Sequence, residues 1–264
     1  MEKITIRPSS LATFVSCPRR WYDRHILNLP SPNGVRAIMG TSIHAGAEAM
    51  WKEAIKSQDK SNPNVSMMTD VAVETYDNKV KNNSEGEIFY GDLDDELARN
   101  SVVEGVKAFV KDVVPFTPIP LAVEIRVTRE IDHCIVKNIS GTIDYLAKDT
   151  IADIKTSSRK IVPSRALLQQ STYKFLALGE GYDIKHCLIQ SVILGKRKVT
   201  GAIDELEVNV DQAKYIVNNL LDRLDALNQG VDPNLLFPGN HSDFLCSDKY
   251  CGSYQACPYV HGTV

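Results

Sequence analysis

The run VPFTPIP at residues 114–120 divides this chain into two halves with different periods. Three prolines so close together cannot continue a helix, because each lacks an N–H and its ring clashes with the preceding turn. Before the run, apolar residues recur at helical spacing. Residues 9–26 open on serines and carry Leu11, Phe14, Val15, Trp21 and Tyr22, which predicts one helix. Residues 41–56 place Ile43, Ala47, Met50, Trp51 and Ala54 on one face, and further helical patterns cover 68–82 and 92–112. After Pro120 the period drops to two. LAVEIRVT, HCIVKNI, TIDYLA and TIADIKT read as successive strands whose short connections predict an antiparallel meander. A helix over 164–178, an apolar strand at 186–194, a strand at 203–210 and a helix at 211–229 follow. The expectation is an α/β fold in one domain over residues 1–264. It comprises a mainly helical part to 118, a core at 119–210, and a C-terminal helix with a cysteine-rich tail at 211–264.

The chain has 264 residues, enough to bury a substantial core. No apolar run has the length of a membrane span, and the start MEKITIRPSS lacks the apolar stretch of a signal peptide, so a soluble, cytoplasmic protein with no membrane partner is expected. A net charge of −3 neither announces nor excludes a nucleic-acid binder, because binding follows local potential. Basic residues do cluster: Arg19, Arg20 and Arg24; Arg159, Lys160 and Arg165; Lys196, Arg197 and Lys198. Of the six cysteines, Cys246, Cys251 and Cys257 crowd the C-terminus and Cys17 stands near the N-terminus, a clustering that favours metal or redox chemistry over disulfides in a cytosolic chain. Cys134 and Cys187 lie in strand-like runs and read as free buried thiols.

Residues 141–157, GTIDYLAKDTIADIKTS, put two carboxylates and a lysine inside apolar strands. With Lys148 and Asp149 as a two-residue hairpin loop, Leu146 pairs with Ile151, Tyr145 with Ala152, and Asp144 falls opposite Asp153. Cross-strand neighbours lie only about 5 Å apart, so the two charges repel unless something offsets them. A divalent cation does so, and Mg²⁺ favours a few carboxylates plus water. Alternation places Lys155 on the face of Asp153. A metal held by two carboxylates beside a lysine suits phosphodiester hydrolysis: the lysine positions or deprotonates a water, or stabilises the charged transition state. The plainer reading is a surface hairpin with solvated acids.

Other residues decide between the two. Glu124 sits in LAVEIRV, one or two strands away; His44 lies early in the helix over 41–56; Gln169 and Tyr173 share one face of the helix over 164–178. Each has an ordinary structural role open to it. Taken in order, however, the helix histidine, strand glutamate, Gly-x-x-Asp from Gly141, Asp-x-Lys from Asp153 and Gln-x-x-x-Tyr from Gln169 resemble the RecB-type branch of the PD-(D/E)XK nuclease superfamily. The stretch SSLATFVSCPRRWYDRHI resembles that branch's N-terminal motif. The resemblance implies a central mixed β-sheet flanked by helices. It also implies a metal-dependent DNA exonuclease in recombination, repair or end processing. His44, Asp144, Asp153 and the carbonyl of Ile154 would hold Mg²⁺ or Mn²⁺, with Glu124 on a second metal or a metal-bound water. Lys155 would be the catalytic lysine, oriented with the DNA backbone by Gln169 and Tyr173.

Cys17 with Cys246, Cys251 and Cys257 is similar to the iron–sulfur clasp of CRISPR adaptation exonucleases and AddB-type nucleases. It implies a [4Fe–4S] cluster, with zinc or no metal at all as the alternatives because four residues separate Cys246 from Cys251 where two are usual. Contact with single-stranded DNA or duplex ends would come from Arg19, Arg20 and Arg24 beside Trp21 and Tyr22, the aromatic rings serving equally well as core. Arg159, Lys160 and Arg165 would hold phosphate near the metal. No ATP-binding loop is present, so unwinding falls to a helicase partner, and a single-strand annealing protein or CRISPR adaptation proteins are the other partners implied. A phage-encoded nuclease fits the same build. The competing class is a non-catalytic DNA-binding or scaffold protein that keeps the fold.

Overall fold

A computed structural model describes residues 3–30, 34–83, 87–160 and 164–262, with the side chains of Ser164 and Arg165 outside the description. The chain runs β1 (Ile4–Ile6), α1 (Pro8–Ser16), α2 (Pro18–His25), α3 (Val35–Ser57), α4 (Val65–Lys81) and α5 (Asp95–Asp112). It continues through β2 (Ala122–Glu130), β3 (Val136–Leu146), β4 (Thr150–Ser157), α6 (Ser164–Gly179), β5 (His186–Leu194), β6 (Val199–Glu205) and α7 (Val210–Asn228). Two single-turn helices, α8 (Pro233–Leu236) and α9 (Pro258–His261), close it.

The sheet is mixed, in the order β1-β3-β4-β5-β6 with β2 on the other edge of β3. The expected meander holds for β2-β3-β4, but β4 and β5 run parallel across α6, and β1 pairs parallel to β3. HCIVKNI and TIDYLA form one continuous strand, β3, because nothing between them interrupts the ladder with β2. The strand expected at 203–210 lies instead at Val199–Glu205, where it pairs with β5, and Asn209 caps α7 by accepting from the Gln212 N–H.

Helices cover both faces. On one, α3, α4 and α5 enclose Trp51, Met68, Tyr76, Val106 and Phe109 against Tyr145, Ile154 and Val192. On the other, Leu11, Trp21, Leu176, Leu220 and Phe237 pack on Ile139, Ile143 and Ile151. Burial of each such aliphatic or aromatic side chain contributes roughly 1.5–3 kcal/mol before entropy is counted. The sheet turns over between these cores. Ile125 and Ile143, paired across β2 and β3, belong to the second core, whereas Val123 and Tyr145, also paired, belong to the first. Glu124 and Asp144 occupy the step between, and Glu124 takes a left-handed φ of 52°, a conformation that costs about 1–3 kcal/mol in a non-glycine residue.

The N-terminal helix expected over 9–26 is two helices. Pro18 has no N–H to donate and disfavours helical backbone at the residue before it, so Cys17 is extended at φ −152°, ψ 94° and the chain bends there. The helix expected from residue 41 begins two turns earlier, which places His44 in its third turn.

Candidate active site

β4 leaves β3 after two paired residues, Leu146 with Ile151 and Tyr145 with Ala152, and then follows β5 along its whole length. The expected facing pair of Asp144 and Asp153 is therefore not a ladder pair. Asp144 instead reaches across the opening, and its Oδ2 accepts the Ile154 N–H at 2.7 Å. The carboxylate supplies the acceptor that the departing strand has lost, which fixes it beside the backbone of Ile154.

Asp153 is 4% exposed. Its Oδ1 accepts from Gln169 Nε2 at 2.8 Å, and its Oδ2 lies 2.8 Å from Lys155 Nζ. Burial raises the Asp153 carboxyl, Lys155 opposes the rise, and Asp144 adds to it. Gln169 thus holds the acid rather than the lysine. Tyr173 follows one turn later in α6, its hydroxyl pushed up by burial and by the charge of Asp153. Its ring passes so close to β3 that a Cβ at Gly141 would stand 2.8 Å from Tyr173 Cε1 and 2.9 Å from Pro8 Cδ. The glycine of Gly-x-x-Asp is a contact point, not a turn.

Glu124 faces Asp144 from the adjacent strand. Burial in the cleft, then repulsion from Asp144 and from Glu48, pushes its carboxyl up to about 7, against the pull of Lys52. The residue is also open to solvent, which screens part of that repulsion without changing its sign. His44 Nδ1 lies 3.6 Å from Asp144 Oδ2. These groups line a cleft of about 570 Å³ between α3 and the end of β4, with Arg36, Gly40, Glu48, Ile154, Lys155 and Thr156. Arg36, Glu48 and Lys52 were not anticipated. The signal was available: residues 36, 40, 44, 48 and 52 form one i,i+4 row on α3, opposite its apolar face. Glu124 and Asp144, together with a histidine and a backbone carbonyl, form an oxygen-rich donor set suited to a hard divalent cation.

Cys17, Cys246, Cys251 and Cys257 line a single cavity, and the Cys246 thiol is pushed up by burial and then by the other three. Four convergent thiols fit a thiolate-ligated metal group. The break at Cys17 turns that side chain toward the tail, which Arg19 and Asn240 fasten: Arg19 Nη1 donates to Asn234 at 2.8 Å, and Asn240 Nδ2 to the Ser16 carbonyl at 2.8 Å. Among the described residues, the ligand atoms that gather within 4.8 Å of one another are those of His133, Cys134 and Asp225. There His133 Nδ1 accepts two backbone N–H groups, from Ile135 and Val136. Nε2 therefore carries the proton and faces Asp225 and the Leu221 carbonyl as a donor, which leaves no lone pair for a metal. The trio ties the β2–β3 turn to α7. Cys134 is exposed in that turn and hydrogen-bonds Asp225, so its expected burial does not hold; Cys187 is buried as expected.

The proposed nucleic-acid contacts divide. Trp21 and Tyr22 are core, both stacked on Phe237, with Trp21 Nε1 donating to Ser10. Neither ring is free to receive a base. Arg19 pairs with buried Asp23 at 2.8 Å and Arg20 with Asp243 at 3.4 Å, so both guanidiniums are committed within the protein. Arg24 and Arg159 are exposed, and Lys160, also exposed, pairs with Asp204. The Arg165 side chain falls outside the described residues.

The fold has solved counterparts. A protein of Eubacterium rectale provisionally named as an exonuclease superposes with a TM-score of 0.56 at 12% identity, over 86% of this chain and 82% of that one. SSO0001 aligns over 98% of this chain and 88% of that one at 16% identity, but with a TM-score of 0.41 it carries no argument. No curated protein matches the chain. The sequence profile of the PD-(D/E)XK nuclease superfamily matches residues 5–258, and to that superfamily this chain belongs.

Proposed function

We propose that the protein hydrolyses DNA phosphodiester bonds from strand ends with the aid of Mg²⁺ or Mn²⁺. The observation that carries this reading is that Asp144, Glu124 and Lys155 line one open cleft where β3 and β4 part, with Asp153 buried against Lys155 behind it. Asp144, Asp153, His44 and the Ile154 carbonyl would hold the cation, with Glu124 completing the set. Once bound, the cation lowers the pKa of a water and stabilises charge on the phosphate.

The chain's own groups do the positioning. Gln169 fixes the Asp153 carboxylate and leaves its other oxygen for Lys155. Lys155, half-buried at the mouth, presents an ammonium to a phosphate entering the cleft and offsets the charge that develops there. Glu124, facing Asp144 across the cleft, would hold a second cation or a cation-bound water. The E. rectale protein's provisional name favours the exonuclease mode over internal cleavage. Roles in recombination or repair, a helicase or annealing partner, and the one-domain organisation over 1–264 belong to the same reading.

We infer further that the four cysteines hold a [4Fe–4S] cluster. The four thiols line one cavity, and a set of four thiolates suits either zinc or an iron–sulfur cluster. The split arrangement, with one ligand beside the N-terminal helices and three in the tail, favours the cluster.

The test uses end-labelled single- and double-stranded DNA with Mn²⁺. Wild type should release labelled mononucleotides and Lys155→Ala should not, while still binding DNA. Binding without cleavage by wild type would overturn the nuclease reading in favour of a scaffold.

A further inference from the structure

The longer Cys246–Cys251 interval places Lys249 and Tyr250 at its far end, and both side chains are exposed. Lys249 Nζ lies 4.6 Å from the Phe89 ring centre and 5.2 Å from that of Tyr250, so one ammonium bridges two rings drawn from the clasp and from the loop before α5. Phe89 is 45% exposed and Tyr250 47%. Neither ring is core, and an ammonium between them does not require two large aromatics to stay in water.

This pair stands at the approach to the cleft. The Phe89 carbonyl accepts the Val35 N–H at 3.0 Å, and Gly34 forms a bridge with Phe89. The next residue, Arg36, lines the cleft and holds Asp92 at 2.6 Å. Asp92 also meets Lys196 at 3.7 Å, at the tip of the β5–β6 hairpin with exposed Arg197 and Lys198. Arg36, Lys196, Arg197, Lys198 and Lys249 stand here among the acids Glu87, Asp92, Asp94, Asp95 and Asp248. The charges balance in number, and Lys249 at the rings and Arg36 in the cleft mark the two ends of the run of cations.

We propose that Phe89 and Tyr250, bridged by Lys249, form a stacking platform that grips unpaired bases of a strand led into the cleft. Aromatic faces accept any base, and cations beside them hold the backbone, which together give sequence-tolerant single-strand binding. Duplex bases are already stacked and gain nothing from it. The cysteine clasp, on this assignment, carries part of the substrate track as well as tying the chain ends. The proposal deepens the nuclease reading and rests on it for the identity of the strand.

The experiment measures anisotropy of a fluorescein-labelled oligothymidylate, an abasic strand of equal length and a blunt duplex, on the full chain in EDTA. Wild type should bind the thymidylate about tenfold more tightly than the abasic strand. Phe89→Leu and Tyr250→Leu, which keep apolar volume but lose the ring, should each erase most of that difference while leaving abasic and duplex binding unchanged; Tyr250→Phe should retain it. Equal affinity of wild type for thymidylate and abasic strands, equal losses on all three ligands in the leucine variants, or no binding at all would overturn the platform. Cleavage with Mn²⁺ is scored separately. Bound but uncleaved DNA sinks the nuclease reading and leaves the platform standing, whereas cleavage with the base preference missing from wild type sinks only the platform.

Discussion

The Ile154 N–H donates to the Asp144 carboxylate at 2.7 Å, on the step where β4 stops pairing with β3. One oxygen of Asp144 is thus a structural acceptor, and the carboxylate's charge is surplus to that bond. Asp144→Asn keeps an oxygen acceptor and removes the charge. Its stability without metal should stay within about 1 kcal/mol of wild type, measured by urea unfolding in EDTA, while DNA cleavage falls by about 100-fold or more. A stable variant with wild-type cleavage would take Asp144 out of the chemistry.

Gly141→Ala introduces a methyl 2.8 Å from Tyr173 and 2.9 Å from Pro8. Overpacking of this kind costs about 1–3 kcal/mol. Pairing it with Tyr173→Leu should recover part of the loss, since the Pro8 contact remains. Chemical denaturation of the two single variants and the double variant reads the coupling, and strict additivity would contradict the contact.

Glu124 gives the metal-free protein a pH signature. Its folded pKa of about 7 stands above the ordinary 4.5, so the folded state binds more protons between those values and stability falls as pH rises through that window. The penalty is absent below the lower value and complete above the upper one. Melting temperature in EDTA should decline from pH 4.5 to 7.5 more steeply in wild type than in Glu124→Gln. Parallel profiles would show that the crowding around Glu124 is relieved by solvent.

Protein purified anaerobically should be brown, with iron and sulfide in equal amounts. Cys251→Ser should lose the colour and melt at lower temperature, because a tether between α2 and the tail is gone. Cys134→Ser and Cys187→Ser should keep the iron. Colourless wild type with one zinc per chain would replace the cluster with zinc.

The site was readable where a local rule fixed the geometry. A two-residue loop at Lys148 and Asp149 sets the hairpin register, and the Ala147 N–H indeed donates to the Thr150 carbonyl. What the register could not convey is that β4 follows β5 instead, a choice made by long-range pairing. β1 escaped notice because three residues carry too little pattern. Pro18 was visible, yet apolar spacing runs on past it, since α1 and α2 bury their residues in the same core. Trp21 and Tyr22 looked equally suited to bases or to a core; Phe237, more than two hundred residues away, decides for the core. Glu48 went unseen because its partner Glu124 belongs to another half of the chain.

The packing of Phe237 on Trp21 and Tyr22 also bears on how the protein is born. α2 leaves the ribosome more than two hundred residues ahead of Phe237, so the indole waits through that interval for part of its cover. A chain cut short before Phe237 would leave the faces of Trp21 and Tyr22 that it covers turned to water.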